Sequence, residues 1–136
     1  MKKRYLTIPA ALSVVLGVCV FCKSRDRVPA DEKIDLVMRA KNFVRRLNRR
    51  EYENCCEMFG ETMAESNPVE KLRETFDPIV DSLGDFLCFR NASVSKKNYD
   101  GSIYTLCTLR CSYDKGGAVF TILFNEENKI DGVYVR

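Results

Sequence analysis

The chain has 136 residues, 46% of them hydrophobic and 30% charged, and this length leaves room for one small folded domain. Lys2, Lys3 and Arg4 account for the whole formal net charge of +3, so residues 23–136 hold 19 basic and 19 acidic side chains. A neutral domain lacks the basic surface that binding to nucleic-acid phosphates requires, and we therefore expect no nucleic-acid partner.

The first element is an N-terminal export or anchor segment, residues 1–22. A basic start is followed by the uncharged, apolar residues 5–22, which end at Lys23. We interpret the segment as an uncleaved hydrophobic helix that inserts into a membrane and holds the domain outside the cytoplasm. Two alternatives stay open: cleavage to give a secreted protein, and lipidation at Cys19, although Val18 stands where a smaller residue is expected.

A polar linker, residues 23–30, precedes the domain predicted over residues 31–136. Helix-capping residues and apolar spacing of three to four predict three helices, over residues 31–48, 50–59 and 67–83. Asp31 is the expected N-cap of the first helix, and Pro78 predicts a kink or break near residues 75–77 of the third. The apolar face of the first helix is predicted to contain Ile34, Val37, Met38, Ala40, Phe43, Val44 and Leu47. Four arginines, Arg45, Arg46, Arg49 and Arg50, favour a solvated helix end that complements the helix dipole over a patch for an anionic partner.

After Gly84 the sequence becomes rich in β-branched and aromatic residues. Four strands are predicted over residues 86–94, 103–113, 118–125 and 130–135, separated by short turns that suit hairpins. Three helices followed by an antiparallel meander predict an α+β domain with the helices on one face of the sheet.

The spacing of these residues resembles the bacterial DUF3887 domain, a family of unassigned function that is similar to the NTF2-like superfamily. The resemblance rests on residues 40–59 (AKNFVRRLNRREYENCCEMF), Met63, residues 68–72 (PVEKL) and residues 83–86 (LGDF), followed by four strands. It implies a cone in which three helices pack on a curved four-stranded antiparallel sheet around a pocket or a dimer surface. The residues expected to line such a cavity are Tyr52, Phe59, Phe76, Tyr104 and Phe120.

Few side chains in this sequence support catalysis. The absence of histidine removes Ser-His and Cys-His nucleophile pairs and histidine-ligated zinc, and the five cysteines of the domain show no CxxC spacing. We therefore expect no catalytic residue, metal or cofactor, and we interpret the cysteines as buried thiols rather than a disulfide. The enzyme alternative is an NTF2-like site that places a carboxylate beside a tyrosine in an apolar cavity, with Asp85, Tyr104 and Tyr113 as its candidates.

These observations favour a non-catalytic binding or interaction module tethered to a membrane through residues 5–22. Its partner is expected to be a small apolar ligand or another protein. A structural module that forms homodimers through the outer sheet face is the third hypothesis.

Overall fold

The computed structural model describes residues 6–7, 28–99 and 101–136 of the chain. In chain order the elements are β1 (Leu6–Thr7), α1 (Ala30–Asn48), α2 (Tyr52–Cys56), α3 (Glu61–Ser66), α4 (Val69–Leu83), β2 (Phe86–Tyr99), β3 (Ser102–Tyr113), β4 (Gly116–Phe124) and β5 (Ile130–Val135). The strands form one antiparallel sheet in the order β1-β5-β4-β3-β2, and the helices pack on one of its faces. The predicted α+β class and the four-stranded meander are thereby confirmed.

The N-terminal segment is described only at Leu6 and Thr7, whose backbone pairs with Val135 and Tyr134 of β5. The predicted hydrophobic helix is therefore wrong at Leu6 and Thr7, which form a strand. The rest of that helix and Cys19 lie outside the described residues, so anchoring, cleavage and lipidation stay predictions. Of the helices in the described part of the chain, none combines the length and hydrophobicity needed to cross a bilayer.

Helix α1 buries Leu36, Ala40, Phe43, Val44 and Leu47 against the sheet. The prediction was wrong at Ile34 and Met38, which are 66% and 52% exposed. Residues two positions apart on an α-helix lie about 200° apart, so burial of Leu36 turns both of these side chains away from the core. The predicted Asp31 cap is also wrong, since the helix begins at Ala30 and no side chain caps it.

The second predicted helix is shorter than expected, and a further short helix, α3, follows it. Helix α2 ends at Cys56, and Phe59 instead forms a parallel bridge to Ile130 of β5. Helix α4 continues through Pro78, so the break predicted near residues 75–77 does not occur.

Along β3, buried and more exposed side chains alternate, as expected for a sheet with one covered face. Cys107, Leu109, Cys111 and Tyr113 point toward the helices, and Phe120 and Ile122 of β4 join them in one hydrophobic core. The opposite side is called here the outer face. Strand β2 lies at the edge of the sheet and carries two bulges, between Phe86 and Cys88 and between Phe89 and Asn91.

Helix α1 runs beside β2 and antiparallel to it. Near the start of the helix Glu32 pairs with Lys96 at 3.7 Å, and near its end Arg45 lies 5.3 Å from the centre of the Phe89 ring. The C-terminal end of α1 therefore meets the first residues of β2, and this placement forms the site described next.

Candidate functional site: the arginine cleft

A cleft of about 630 Å³ lies where the C-terminal ends of α1 and α4 meet the start of β2. We call it the arginine cleft. It is lined by Arg45, Asn48, Arg49, Arg50, Val80, Asp81, Gly84, Asp85 and Phe86.

Two backbone positions shape the cleft. Gly84 ends α4 with φ of 78°, a conformation that glycine adopts without steric cost, and the chain then turns into β2. The β3–β4 hairpin closes this corner, because the Lys115 amide donates to the Leu83 carbonyl at 2.9 Å and the Asp114 amide to the Asp85 carbonyl at 2.8 Å. Arg50 adopts φ of 61° directly after α1, which is unusual for a residue with a side chain.

The Arg50 guanidinium joins the α1–α2 connection to α4. It donates to Asp77 at 2.9 Å and also to Asp81, and the Tyr52 hydroxyl donates to the same Asp77 carboxylate at 2.6 Å. The hydrogen bond from Tyr52, followed by the bond and charge of Arg50, lowers the pKa of Asp77. Burial, together with the Asp77 carboxylate, raises the pKa of Tyr52 above its usual range. This cluster connects α2 to α4 and keeps Asp77 ionised.

Asn48 contributes a polar group to the wall of the cleft. Its Oδ1 accepts a hydrogen bond of 2.7 Å from the Tyr113 hydroxyl, whereas its buried Nδ2 has no acceptor among the described residues. A buried donor without a partner costs free energy in the empty protein, and a ligand oxygen at this position would satisfy it.

Two further arginines keep their charge available. Arg45 lies against the Phe89 ring and reaches Asn42 Oδ1 at 3.3 Å, so it contacts no carboxylate in the described part of the chain. Arg49 is exposed at the end of α1 and forms no ion pair within the described residues. Asp85 also lines the cleft and has no ion pair within the described residues, so the two available guanidinium groups face one carboxylate there. The remaining positive charge and the amide donor together suit a carboxylate or a similar anion.

The residues predicted to line a cavity are separated by the sheet. Tyr52, Phe59, Phe76 and Phe120 are buried in the core on the helix side, where the Phe59 ring packs 5.8 Å from that of Phe43. Tyr104 lies on the outer face, because its neighbour Thr105 is on the buried side. None of the five lines the arginine cleft, and a cavity formed by them stays a prediction.

The groups named for the enzyme alternative also lie apart. Asp85 is exposed at the turn before β2, and the Tyr113 hydroxyl binds Asn48 rather than a carboxylate. The three candidates therefore do not form a carboxylate–tyrosine pair inside an apolar cavity. Within the described residues, His, Cys, Asp and Glu side chains form no group of three that could hold a metal ion.

The cysteines of the described domain are all free, but their interpretation as buried thiols is wrong for Cys88, which is exposed, and Cys56 is only half-buried. Burial raises the pKa of Cys55, Cys107 and Cys111 to about 12, which keeps these sulfurs protonated. Cys88 is exposed on the edge strand β2 and is the accessible thiol among them.

Sequence reasoning located the arginines but not the cleft. The run from Arg45 to Arg50 marked a concentration of charge at a helix end. Arg45, Arg49 and Arg50 are exposed, as its solvated-face interpretation predicts, whereas Arg46 is half-buried and donates to the Asn54 carbonyl. The sequence did not indicate Asn48 as a site residue, because an asparagine near the end of a helix is ordinary. Its position in the cleft depends on Tyr113, which is distant in sequence.

Comparison with known proteins identifies the domain at the level of family and fold. The family model described as "Protein of unknown function (DUF3887)" matches residues 40–133, more than half of the chain. A solved structure, "NMR structure of protein from Ruminococcus gnavus ATCC 29149", is similar with a TM-score of 0.68 and 16% sequence identity, covering 79% of this chain and 94% of that one. At this identity the likeness shows the fold alone. No curated protein matches the chain significantly.

Proposed function

This chain belongs to the DUF3887 family, and we propose that it is a non-catalytic binding module whose ligand enters the arginine cleft. The ligand presents a carboxylate or a similar anion, on a small molecule or on a protein partner. The module is tethered to a membrane through its apolar N-terminal segment and works outside the cytoplasm, and its sheet and helices form an NTF2-like cone.

The unsatisfied Asn48 Nδ2 beside uncommitted arginines is the observation that carries this proposal. Arg50 is neutralised by Asp77 and Asp81, so the charge that attracts a ligand comes from Arg45 and Arg49. An incoming carboxylate would accept from Asn48 with one oxygen and from a guanidinium with the other, replacing water at both. The polar walls give a small apolar ligand less support than an anionic one.

A titration of the full chain in maltoside micelles tests the cleft. We expect acetate, succinate and a tetra-aspartate peptide to shift the Asn48 side-chain amide signals in NMR spectra saturably, with the di- and polyanion binding more tightly. Arg49→Gln should weaken this binding, whereas Arg39→Gln, an equal loss of charge in the middle of α1, should not. If the Asn48 amide signals do not shift, or if Arg49→Gln and Arg39→Gln weaken the binding equally, the proposal is contradicted.

The topology is tested separately through Cys88. A membrane-impermeant maleimide applied to intact cells should label the chain, and Cys88→Ser should abolish most of the labelling, since Cys55, Cys107 and Cys111 are buried. Labelling that requires cell lysis would place the domain on the cytoplasmic side. A mature protein that starts at Cys19 by mass spectrometry would replace the anchor with a lipid.

A second candidate function, a structural dimer, is favoured by Ile34 and Met38, which expose their side chains one helical turn apart on α1. Light scattering on the full chain at increasing concentration should show a dimer that Met38→Gln weakens. A monomer at every concentration would exclude it.

A further inference from the structure

A second depression, of about 420 Å³, lies on the outer face of the sheet, where β2 begins and β3 ends. Its charged side chains are Arg90 of β2, Arg110 of β3 and Arg136, which follows β5. Ser112, Gly117 and Val119 form the surface between them. We call this group the outer arginine site.

The register of the sheet brings the three arginines to one face. Arg110 lies directly opposite Val119 of β4, and Val119 in turn pairs with Arg136 through backbone hydrogen bonds of 2.9 and 3.1 Å. Residues opposite one another in a sheet point to the same side, so Arg110 and Arg136 flank Val119, two strand spacings or about 10 Å apart.

Arg90 reaches the same face because of a bulge. The register shifts between Phe89 and Asn91, and the extra residue, Arg90, turns outward and donates from Nε to Ser112 Oγ at 2.8 Å. Its guanidinium is thereby held beside the depression rather than left free in solvent.

The floor of the site is open because Gly117 lies opposite Ser112 and has no side chain. A Cβ at this position would approach the Cys111 carbonyl at 3.2 Å and would also occupy part of the depression. A ligand can therefore approach the backbone between the arginines.

The charged side chains that line this site are all positive. None of the lining residues is Asp or Glu, and the side chains of Arg110 and Arg136 form no ion pair in the described part of the chain. Arg39, Arg50 and Arg73 each have a carboxylate partner. Like charges gathered on neighbouring strands destabilise a sheet unless an anion compensates them.

We propose that the outer arginine site binds a tetrahedral oxyanion of the phosphate class. A guanidinium group can donate two parallel hydrogen bonds to two oxygens of the same oxyanion. A phosphate has enough oxygens to accept such bonds from three arginines, whereas a single carboxylate has only two oxygens. The site is separate from the arginine cleft, which lies on the helix side of the sheet, so each proposal can fail alone.

The source of the phosphate is a free molecule or a lipid headgroup. Leu6 and Thr7, the described residues of the predicted anchor segment, pair with Val135 and Tyr134, directly before Arg136 at the site. This placement keeps both sources open, and the two arms of the test distinguish them.

The test is an NMR titration of the full chain in maltoside micelles, read at the arginine Nε–H signals. Inorganic phosphate is added in one arm, and the micelles are doped with phosphatidylglycerol in the other. We expect saturable shifts at Arg90, Arg110 and Arg136 with phosphate, and an affinity at least about tenfold weaker in Arg110→Gln. Arg73→Gln on α4 is the matched control for charge and should bind as the unaltered chain does.

Each result decides between the proposal and its rejection. Binding in the lipid arm alone that is lost in Arg110→Gln would keep the site and assign it to a headgroup. Phosphate shifts that Arg110→Gln and Arg73→Gln weaken equally would show general charge attraction and overturn the proposal. No saturable shift in either arm would overturn it as well, and matched CD spectra of the variants would exclude misfolding as the cause.

Discussion

Arg50 combines a strained backbone with two ion pairs, and a pair of substitutions separates the two effects. Arg50→Ala and Arg50→Gly both remove the guanidinium that contacts Asp77 and Asp81. Only glycine also relieves the left-handed φ of 61°. The ion pairs are partly exposed, with side-chain exposures of 43% for Arg50, 33% for Asp77 and 67% for Asp81, so their loss should cost about 1 kcal/mol in total.

In Arg50→Gly, relief of the backbone strain stabilises the fold and opposes the loss of the ion pairs. A left-handed conformation costs a residue with a Cβ about 1–2 kcal/mol, and glycine avoids this cost in the folded state. The greater conformational freedom of glycine in the unfolded chain offsets part of that stabilisation. Arg50→Gly should therefore be more stable than Arg50→Ala by about 0.5–1 kcal/mol, and close to the unaltered chain.

Urea unfolding followed by far-UV CD measures both differences. Adding salt should narrow the gap between the unaltered chain and Arg50→Ala, because screening weakens partly exposed ion pairs, but not the gap between the two variants. Equal midpoints for alanine and glycine would refute the account of backbone strain. An alanine variant as stable as the unaltered chain would show that the ion pairs contribute nothing.

Three further substitutions test other contacts. Tyr113→Phe should destabilise the fold by about 1–2 kcal/mol, because it leaves the buried Asn48 Oδ1 without its donor, and urea midpoints would measure this loss. Gly60→Ala should cost about 1–3 kcal/mol, since a Cβ there would lie within 2.3 Å of Asp131 Oδ1, and combining it with Asp131→Ala should remove most of that cost. Burial raises the pKa of Asp131, so the fold is more stable when this carboxyl is protonated. The resulting contribution to the free energy of unfolding is full at acid pH and is lost as pH rises through the folded-state pKa. The asparagine of Asp131→Asn cannot ionise, so this variant should lose less stability than the unaltered chain between acid and neutral pH. Thermal midpoints at both pH values would measure the difference, and an identical pH dependence of the two proteins would refute the role of Asp131.

The strands were predictable from sequence because their signal is local. β-Branched and aromatic residues fill β3, β4 and β5. A glycine-containing turn separates β3 from β4, and the polar residues 125–129 separate β4 from β5. Strand β2 extends to Tyr99, beyond the predicted end at Val94, because pairing with β3 organises a polar stretch that has no apolar alternation. Helix α3 was missed because six residues with a single buried side chain, Met63, are too few to show a period.

The sites were less accessible to sequence reasoning because they depend on distant residues. The arginine cleft needs Asn48, Gly84 and Phe86 to meet, and no local pattern couples them. The outer arginine site depends on strand register, and a bulge reverses the side on which Arg90 is presented. On α1, apolar residues surround the first turns, and only packing distinguishes Leu36 from Ile34.

The two bulges in β2 also affect how copies of the protein meet at high local density. A long, straight edge strand is a template on which another chain can add a strand and begin to aggregate. Here the register breaks twice within the first residues of β2, and Arg90, Asn91 and Ser93 are exposed beyond them. An incoming strand would meet an interrupted hydrogen-bonding ladder with polar side chains, so crowding on a surface should not drive edge-to-edge polymerisation.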